Sequence, residues 1–399
     1  MSDIIPPDYM VNVVSLVAGA CNLTDWVWNG EEKLDAKAQN YFGVLIPVTI
    51  NGKIHAENVT LKLVLKLAPT DDRYRVSGAM AIMFKREIFV YSKILPLYDE
   101  LQKHIEISSQ FVRPKCYYSC MDYCKEIIAI QNMCYEGYKP IVHSMFLDFD
   151  HLTVSLQSLA KFHALSFMLE HKDKKAFEEV CNTCLPLSEK TNKRFLDILK
   201  DRLNKALQKF ENSVYVPILT NLKENCNSFI EAMFYSSERN CLCHGDIWKE
   251  NILFKCEDNK PISACLIDYQ TARLSSPAFD VLYLITTSTK SDLKGEYFTS
   301  MLDIYYNTLI QFVSEAQLAI DIYSRNQFNK DLKTVGPACF IIANTALWLS
   351  CGLQQEGHVR SKQILNTESE IGRAVEDYKT IIKDIIDDFI EYGYLSMDN

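Results

Sequence analysis

In the half of the chain whose periodicity is otherwise helical, two short apolar stretches stand close together: NILFK at 251–255 and ACLIDYQ at 264–270, joined by the turn-like CEDNKPIS. That is hairpin spacing. Directly ahead of the first stretch lies HGDIWKEN (244–251). A hairpin here brings Asp246 and Asn251, at the start of one strand, close to Asp268, at the end of the other. A fold that forms this hairpin can present two acids and an amide at one end of a two-stranded ribbon.

The first third reads differently. GVLIPVTI (43–50) and NVTLKLVLKLA (58–68) are strand-like, with Asn51-Gly52 offering a turn tolerant of positive φ. In the second of these, Val59, Leu61, Leu63, Leu65 and Leu67 share one face, and Thr60, Lys62, Val64 and Lys66 the other. AMAIMFKREIFVYSKILP (79–96) sets Phe84, Ile88, Tyr91 and Leu95 at helical spacing and is expected to end at Pro96, with Glu87 on the border of the buried stripe. EIIAIQNM (126–133) is a further strand. Beyond it the pattern predicts helices over 152–169, 193–212, 216–235 and 371–392. The expected fold class is α+β, with a small β-rich N-lobe over residues 1–133 and a large α-helical C-lobe over 134–399.

Composition narrows the functions. A chain of 399 residues with 48% hydrophobic content can bury a large core. Its net charge of -9 disfavours a nucleic-acid partner held by general electrostatics. Fourteen cysteines scattered through apolar stretches read as reduced core thiols. The pairs Cys181/Cys184 and Cys241/Cys243 are not followed by a His-x-x-x-His, and the second has one intervening residue, which argues against structural zinc. The apolar run of MSDIIPPDYMVNVVSLVAGACNL follows acids and no basic residue, so it reads as a helix and not as a secretory leader. PACFIIANTALWLSCGL (337–353) is shorter than the ~20 residues a span needs and carries Asn344, so it reads as a buried helix. The expectation is a cytoplasmic protein with no membrane partner. Its oligomeric state is not written in the sequence.

An acid, an amide five residues on and a second acid across a hairpin suit phosphoryl transfer. One carboxylate there orients the attacking hydroxyl, while an amide oxygen and another carboxylate hold Mg2+ on nucleotide phosphates. Asp246 is the candidate base, and Asn251 and Asp268 the candidate metal ligands. Positioning and charge neutralisation dominate a loose transition state, so an Asp near its ordinary pKa of ~3.9 is adequate. His244 reads as structural, bonding backbone around the loop, and His163 as a core histidine. Trp248, Tyr269 and Tyr283 either line an acceptor pocket or belong to the core.

HGDIWKEN followed by LIDYQ resembles the HGDxxxxN and DxQ/DxD pattern of the aminoglycoside phosphotransferase and choline kinase clan. Trp248 and Gln270 point more narrowly to the ecdysteroid kinase-like (CHK kinase-like) family. VLKLAP, FKREIFVYSKILP, LAKFHA and SPAFDVLYL resemble further family segments in the same order along the chain. The resemblance implies a bilobal, protein-kinase-like fold that uses ATP and Mg2+ to phosphorylate a small-molecule hydroxyl acceptor, such as an ecdysteroid or other steroid or xenobiotic alcohol. It implies that Lys66 contacts the α- and β-phosphates, that Glu87 pairs with Lys66, and that backbone around Gln131, Asn132 and Met133 meets adenine. It also implies that Asp280 ties the catalytic loop together through backbone hydrogen bonds, where the alternative is a cap on the helix after Pro277. Lys62, on the same face as Lys66, is the alternative lysine. The segment 29–43 departs from a phosphate-cradling loop, since it holds only Gly30 and Gly43.

Three rival readings remain at this level. A protein kinase would need an activation segment that YQTARLSSPAFD is too short to supply. A nucleotide-binding pseudokinase scaffold would bind ATP without turnover, and a sterol carrier would ignore ATP and Mg2+.

Overall fold

The structure is a computed structural model that describes residues 7–30, 43–68, 75, 80–235, 237–318, 322–355 and 361–396. It divides into two compact units, one of residues 1–96 and 113–139, the other of 97–112 and 140–399. The single cut expected after residue 133 therefore differs from the observed division in two ways: the boundary falls after 139, and the excursion 97–112 packs with the second unit. Apart from Asn29, Gly30 and Gly43, the glycine-poor segment lies outside the described residues.

The first unit is built on an antiparallel sheet of β1 (Thr24–Gly30), β2 (Val44–Ile54), β3 (Glu57–Leu67), β4 (Cys116–Cys120) and β5 (Ile127–Gln131), in spatial order β1-β2-β3-β5-β4. The leucine face of β3 behaves as its alternation requires. Leu61, Leu63, Leu65 and Leu67 pack with Val48, Ile50 and Ile127 against Met10, Val13, Val14 and Val17 of the helix Pro7–Ala20. Leu63 and Leu65 are fully buried, and each contributes about 1.5–3 kcal/mol of transfer free energy.

Two details depart from expectation. Asn51 and Gly52 lie inside β2, opposite Thr60 and Val59, and the hairpin turns instead at His55-Ala56, both with positive φ. Glycine is needed at 52 for another reason: a Cβ there would stand 3.0 Å from Trp26 Cβ and 3.1 Å from the Thr24 carbonyl on the neighbouring strand. The helix after β3 also does not stop at Pro96. Met80–Phe89 passes through a π turn, Val90–Ile94, into Leu95–Gln102. The proline then falls in the first turn of that last segment, where a missing N–H is tolerated.

The second unit is mainly helical. Phe149–Lys172 packs against Ser291–Glu315, against the short strand Cys241–Cys243, and against a hairpin of Ile252–Glu257 and Lys260–Leu266. That hairpin turns at Asp258-Asn259, both at positive φ, and pairs Ile252 with Leu266. Pro277–Ser288 is buried along its whole length and packs on Arg325–Ser350. The expected helix over 216–235 is interrupted at Asn225, giving Val216–Glu224 and Cys226–Tyr235. The apolar run at 337–353 proves to be the second half of Arg325–Ser350. That helix has 26 residues, enough by length and composition to cross a membrane, and 67% of its most apolar window is buried inside the fold. Its polar first turns hid that length.

Candidate active site

Each unit gathers one part of the expected residues. In the first, Lys66 leaves the face of β3 opposite the leucines, and its Nζ lies 2.6 Å from Glu87 Oε2 of the helix Met80–Phe89. Both are buried, at 4% and 2% exposure. Gly43 borders the lysine: a Cβ there would approach Lys66 Cγ to 3.3 Å and the Leu67 carbonyl to 3.1 Å. Lys62 is engaged elsewhere, donating to Thr49 Oγ1 at 3.0 Å with its ammonium 4.4 Å from the centre of the Tyr135 ring. The lysine that meets Glu87 is thus Lys66.

At the end of β5, the Gln131 side chain serves its own surroundings. It accepts from the Lys115 amide at 3.3 Å and donates to Glu136 at 2.9 Å. Asn132 Oδ1 caps the short turn Met133–Glu136 by accepting from the Cys134 amide at 3.1 Å. Met133 is buried. These side chains hold the end of β5 to its own neighbours.

In the second unit the loop between Cys241–Cys243 and the hairpin is held from beneath by one carboxylate. Asp280 accepts from the His244 amide at 2.6 Å and from the Gly245 amide at 3.0 Å. It also lies 3.2 Å from His163 Nε2, whose other nitrogen is 2.7 Å from the Tyr305 hydroxyl. The helix cap after the loop is made by Ser276, which accepts from the Ala278 amide. Asp280 therefore ties the loop and does not cap the helix. Burial alone would lower the His163 pKa, but Asp280 and Cys243 push it up to about 9, and the Asp280 carboxyl, against its own burial, is held below the ordinary range by His163. The two form a buried ion pair.

His244 is structural. Its Nε2 lies 2.9 Å from the Ile267 carbonyl, which can only accept, so Nε2 carries the proton. Burial lowers its pKa, which keeps the ring neutral. Cys241 and Cys243 face His163 in the same buried cluster. Both ring nitrogens of that histidine are already committed, and burial pushes both thiols up, away from the thiolate a metal would need.

The three expected residues gather where the loop meets the two ends of the hairpin. Asn251 Nδ2 donates to the Asp246 carbonyl at 2.8 Å and stands 3.4 Å from Asp246 Oδ2. The Asn251 carbonyl accepts from the Ile267 amide at 3.0 Å, which locks the start of the hairpin to its end. Asp268 follows at once, in left-handed backbone with φ 69°. Asp246 Oδ1 accepts from the Tyr283 hydroxyl at 2.9 Å. Burial pushes the Asp246 carboxyl up to about 6; the Tyr283 hydrogen bond opposes this, the Asp268 charge adds to it and Arg273 opposes it. That value is well above the ordinary Asp range expected from sequence, which carries no signal of burial at one position.

The donor set suits a hard divalent cation. Asn251 commits its amide nitrogen to Asp246, which turns Oδ1 the other way, and Asp268 adds a carboxylate beside another. Oxygen donors of this kind are the ligands Mg2+ takes, and a cation relieves the repulsion between the two acids.

Sequence reading left Tyr283 between two roles and did not single out Arg273. Of the aromatic candidates, Tyr269 is core, its ring tilted against Phe162 at 5.5 Å and against His244 at 4.9 Å, and Trp248 is buried. Tyr283 is the one that the structure shows donating to Asp246. A hydroxyl-bearing aromatic three residues after Asp280, hence about one turn along the same helix, was the signal available.

The family model described as the ecdysteroid kinase-like family matches residues 37–318. No curated protein matches the chain. Among solved structures the chain is similar to an ethanolamine kinase of Plasmodium vivax, at 11% identity and TM-score 0.43, covering 97% of this chain and 83% of that one. It is similar to a choline/ethanolamine kinase family protein of Mesorhizobium loti, at 10% identity and TM-score 0.46, covering 96% and 98%. An aminoglycoside phosphotransferase of Streptomyces rimosus is matched at 11% identity and TM-score 0.36, covering 83% and 98%.

Proposed function

Because this chain belongs to the ecdysteroid kinase-like family, we propose that it is a small-molecule phosphotransferase that moves the γ-phosphoryl group of ATP to an acceptor hydroxyl, with an ecdysteroid or a related hydroxylated steroid as the acceptor class. The observation that carries the reading is the Asp246 carboxylate, held by Tyr283 at 2.9 Å with Asn251 and Asp268 beside it.

Asp246 receives the acceptor hydroxyl's proton. A carboxyl raised to about 6 is still ionised at neutral pH, and its basicity is better matched to that transfer than an ordinary Asp's. Tyr283 and Asn251 fix the carboxylate's orientation so that one oxygen faces the acceptor. Asn251 Oδ1 and Asp268 would hold Mg2+, which supplies charge neutralisation on the phosphate oxygens when bound. Lys66, kept in place by Glu87, would meet the nucleotide's phosphates, and the backbone of 131–133 its base.

The test is mass-spectrometric detection of a phosphorylated product after incubation with Mg-ATP and a panel of ecdysteroids and other hydroxylated small molecules. Wild-type protein is expected to yield a product, and Asp246→Asn to lower its rate by about 10²–10⁴-fold, the range that loss of a positioned base gives. ATP binding with no product from any acceptor would instead favour a nucleotide-binding scaffold.

A further inference from the structure

Arg273 opens the short strand Arg273–Ser275, which pairs with Cys241–Cys243 ahead of the loop. It is 4% exposed. Its guanidinium carbon lies 4.9 Å from the centre of the Phe279 ring, and Nη1 reaches the Thr271 carbonyl at 3.3 Å. Among the described residues, Nε and Nη2 have no hydrogen-bond partner. Such a cation is expensive to bury, and no partner aligned with its fork repays the cost.

Its surroundings account for it. A Cβ on Gly245 would collide with Arg273 Nη1 and the Thr271 carbonyl, so the guanidinium packs directly beneath the Gly245 backbone, which takes φ +82°. Asp280 and Asp246 are among the groups that act on it electrostatically. His163 is bonded to Asp280, and Arg273 is a buried cation whose charge acts on Asp246 against that of Asp268.

We propose that Arg273 is a positioning residue of the phosphotransfer site: its fork supports the Gly245–Asp246 turn from below, and its fixed charge offsets part of the negative charge of Asp246, which stands beside Asn251 and Asp268. The idea rests on the reading of Asp246 as base and Asp268 as cation ligand. It assigns Arg273 a role through those groups and no contact with substrate. One consequence follows from Coulomb's law alone. Removing this charge makes the cation site more negative, so a divalent ion must bind more tightly even as turnover falls.

Arg273→Met tests this with Mn2+ alone as the probe, followed by electron paramagnetic resonance in the absence of nucleotide. Expected is at least about fivefold tighter Mn2+ binding than wild type, a size the screened interaction of one charge with a divalent ion allows. A kcat at least tenfold lower is expected alongside. Should that variant fail to fold, as its melting curve would reveal, Arg273→Gln, which keeps a donor for Thr271 and loses the charge, gives the same readout. Unchanged or weaker Mn2+ binding in a folded neutral variant would reduce Arg273 to a packing element and overturn the proposal. If wild-type protein binds no Mn2+ that Asp268→Asn removes, the assignment of Asp268 fails first and the role of Arg273 falls with it.

Discussion

Asp268 holds a left-handed backbone conformation at φ 69°, which costs most residues roughly 1–2 kcal/mol and Asp or Asn less. That conformation re-aims the side chain at the end of the hairpin. Asp268→Asn keeps the tolerance for positive φ and removes the charge, so it should leave the melting temperature within about 2 °C while abolishing Mg2+-dependent nucleotide binding. Titration calorimetry with ATP, with and without Mg2+, would decide, and unchanged metal dependence would remove Asp268 from the cation site. His163 gives a pH prediction. Its folded pKa of about 9 lies above its unfolded value of ~6.5, so its ion pair with Asp280 contributes fully below ~6.5 and is lost as pH rises through about 9. The stability gap between wild type and His163→Gln in urea melts should be widest near pH 6, on the order of 3 kcal/mol, and shrink toward pH 10. A gap constant across that range would mean the ring is neutral. Both residues stand out in the sequence as chemistry-bearing letters; their strain and protonation do not.

Among elements, the loop between Cys241–Cys243 and the hairpin depends on one glycine. Gly245→Ala must hold φ near +82° and push a methyl group into Thr271 and Arg273. We expect it to cost about 2–4 kcal/mol of stability, by strain and overpacking together, and to remove detectable turnover. A variant that melts like wild type and retains activity would show the loop to be far more yielding than its packing. Alternation made β3 readable in the sequence, since a period of two fixes which residues face the core, and two short apolar stretches about a turn-like segment made the hairpin readable. Turn positions were less legible. Asn51-Gly52 has the better turn chemistry, yet pairing continues past it to His55-Ala56, because Gly52 is required where Trp26 crosses close by. Pro96 misled for a different reason: a π turn precedes it, and the proline falls in the first turn of Leu95–Gln102, where its missing N–H is tolerated.

For the whole molecule, binding and stability are linked. With Mg-ATP at about 100 times its Kd, the folded state gains about 2.7 kcal/mol, so the wild type should melt a few degrees higher. In Lys66→Met that gain should disappear. The ligand-free protein should also lose on the order of 3–5 kcal/mol, because Glu87, at 2% exposure, would lose the cation 2.6 Å away. A full ATP-induced shift in this variant would point to another lysine at the phosphates. Local pattern in the sequence was enough to establish the α+β class, the leucine face of β3, the hairpin with Asp246, Asn251 and Asp268 at one end, and the order of segments that marks the family. These follow from residue type and spacing over a few neighbours, which any fold must respect. Only tertiary structure decided that Lys66 and not Lys62 meets Glu87, that Asp280 carries the loop, that burial lifts Asp246 to about 6, and that Tyr283 and Arg273 belong to its surroundings. Each depends on burial and on partners 21 to 36 residues or more away in the chain, and a local pattern carries no information about either.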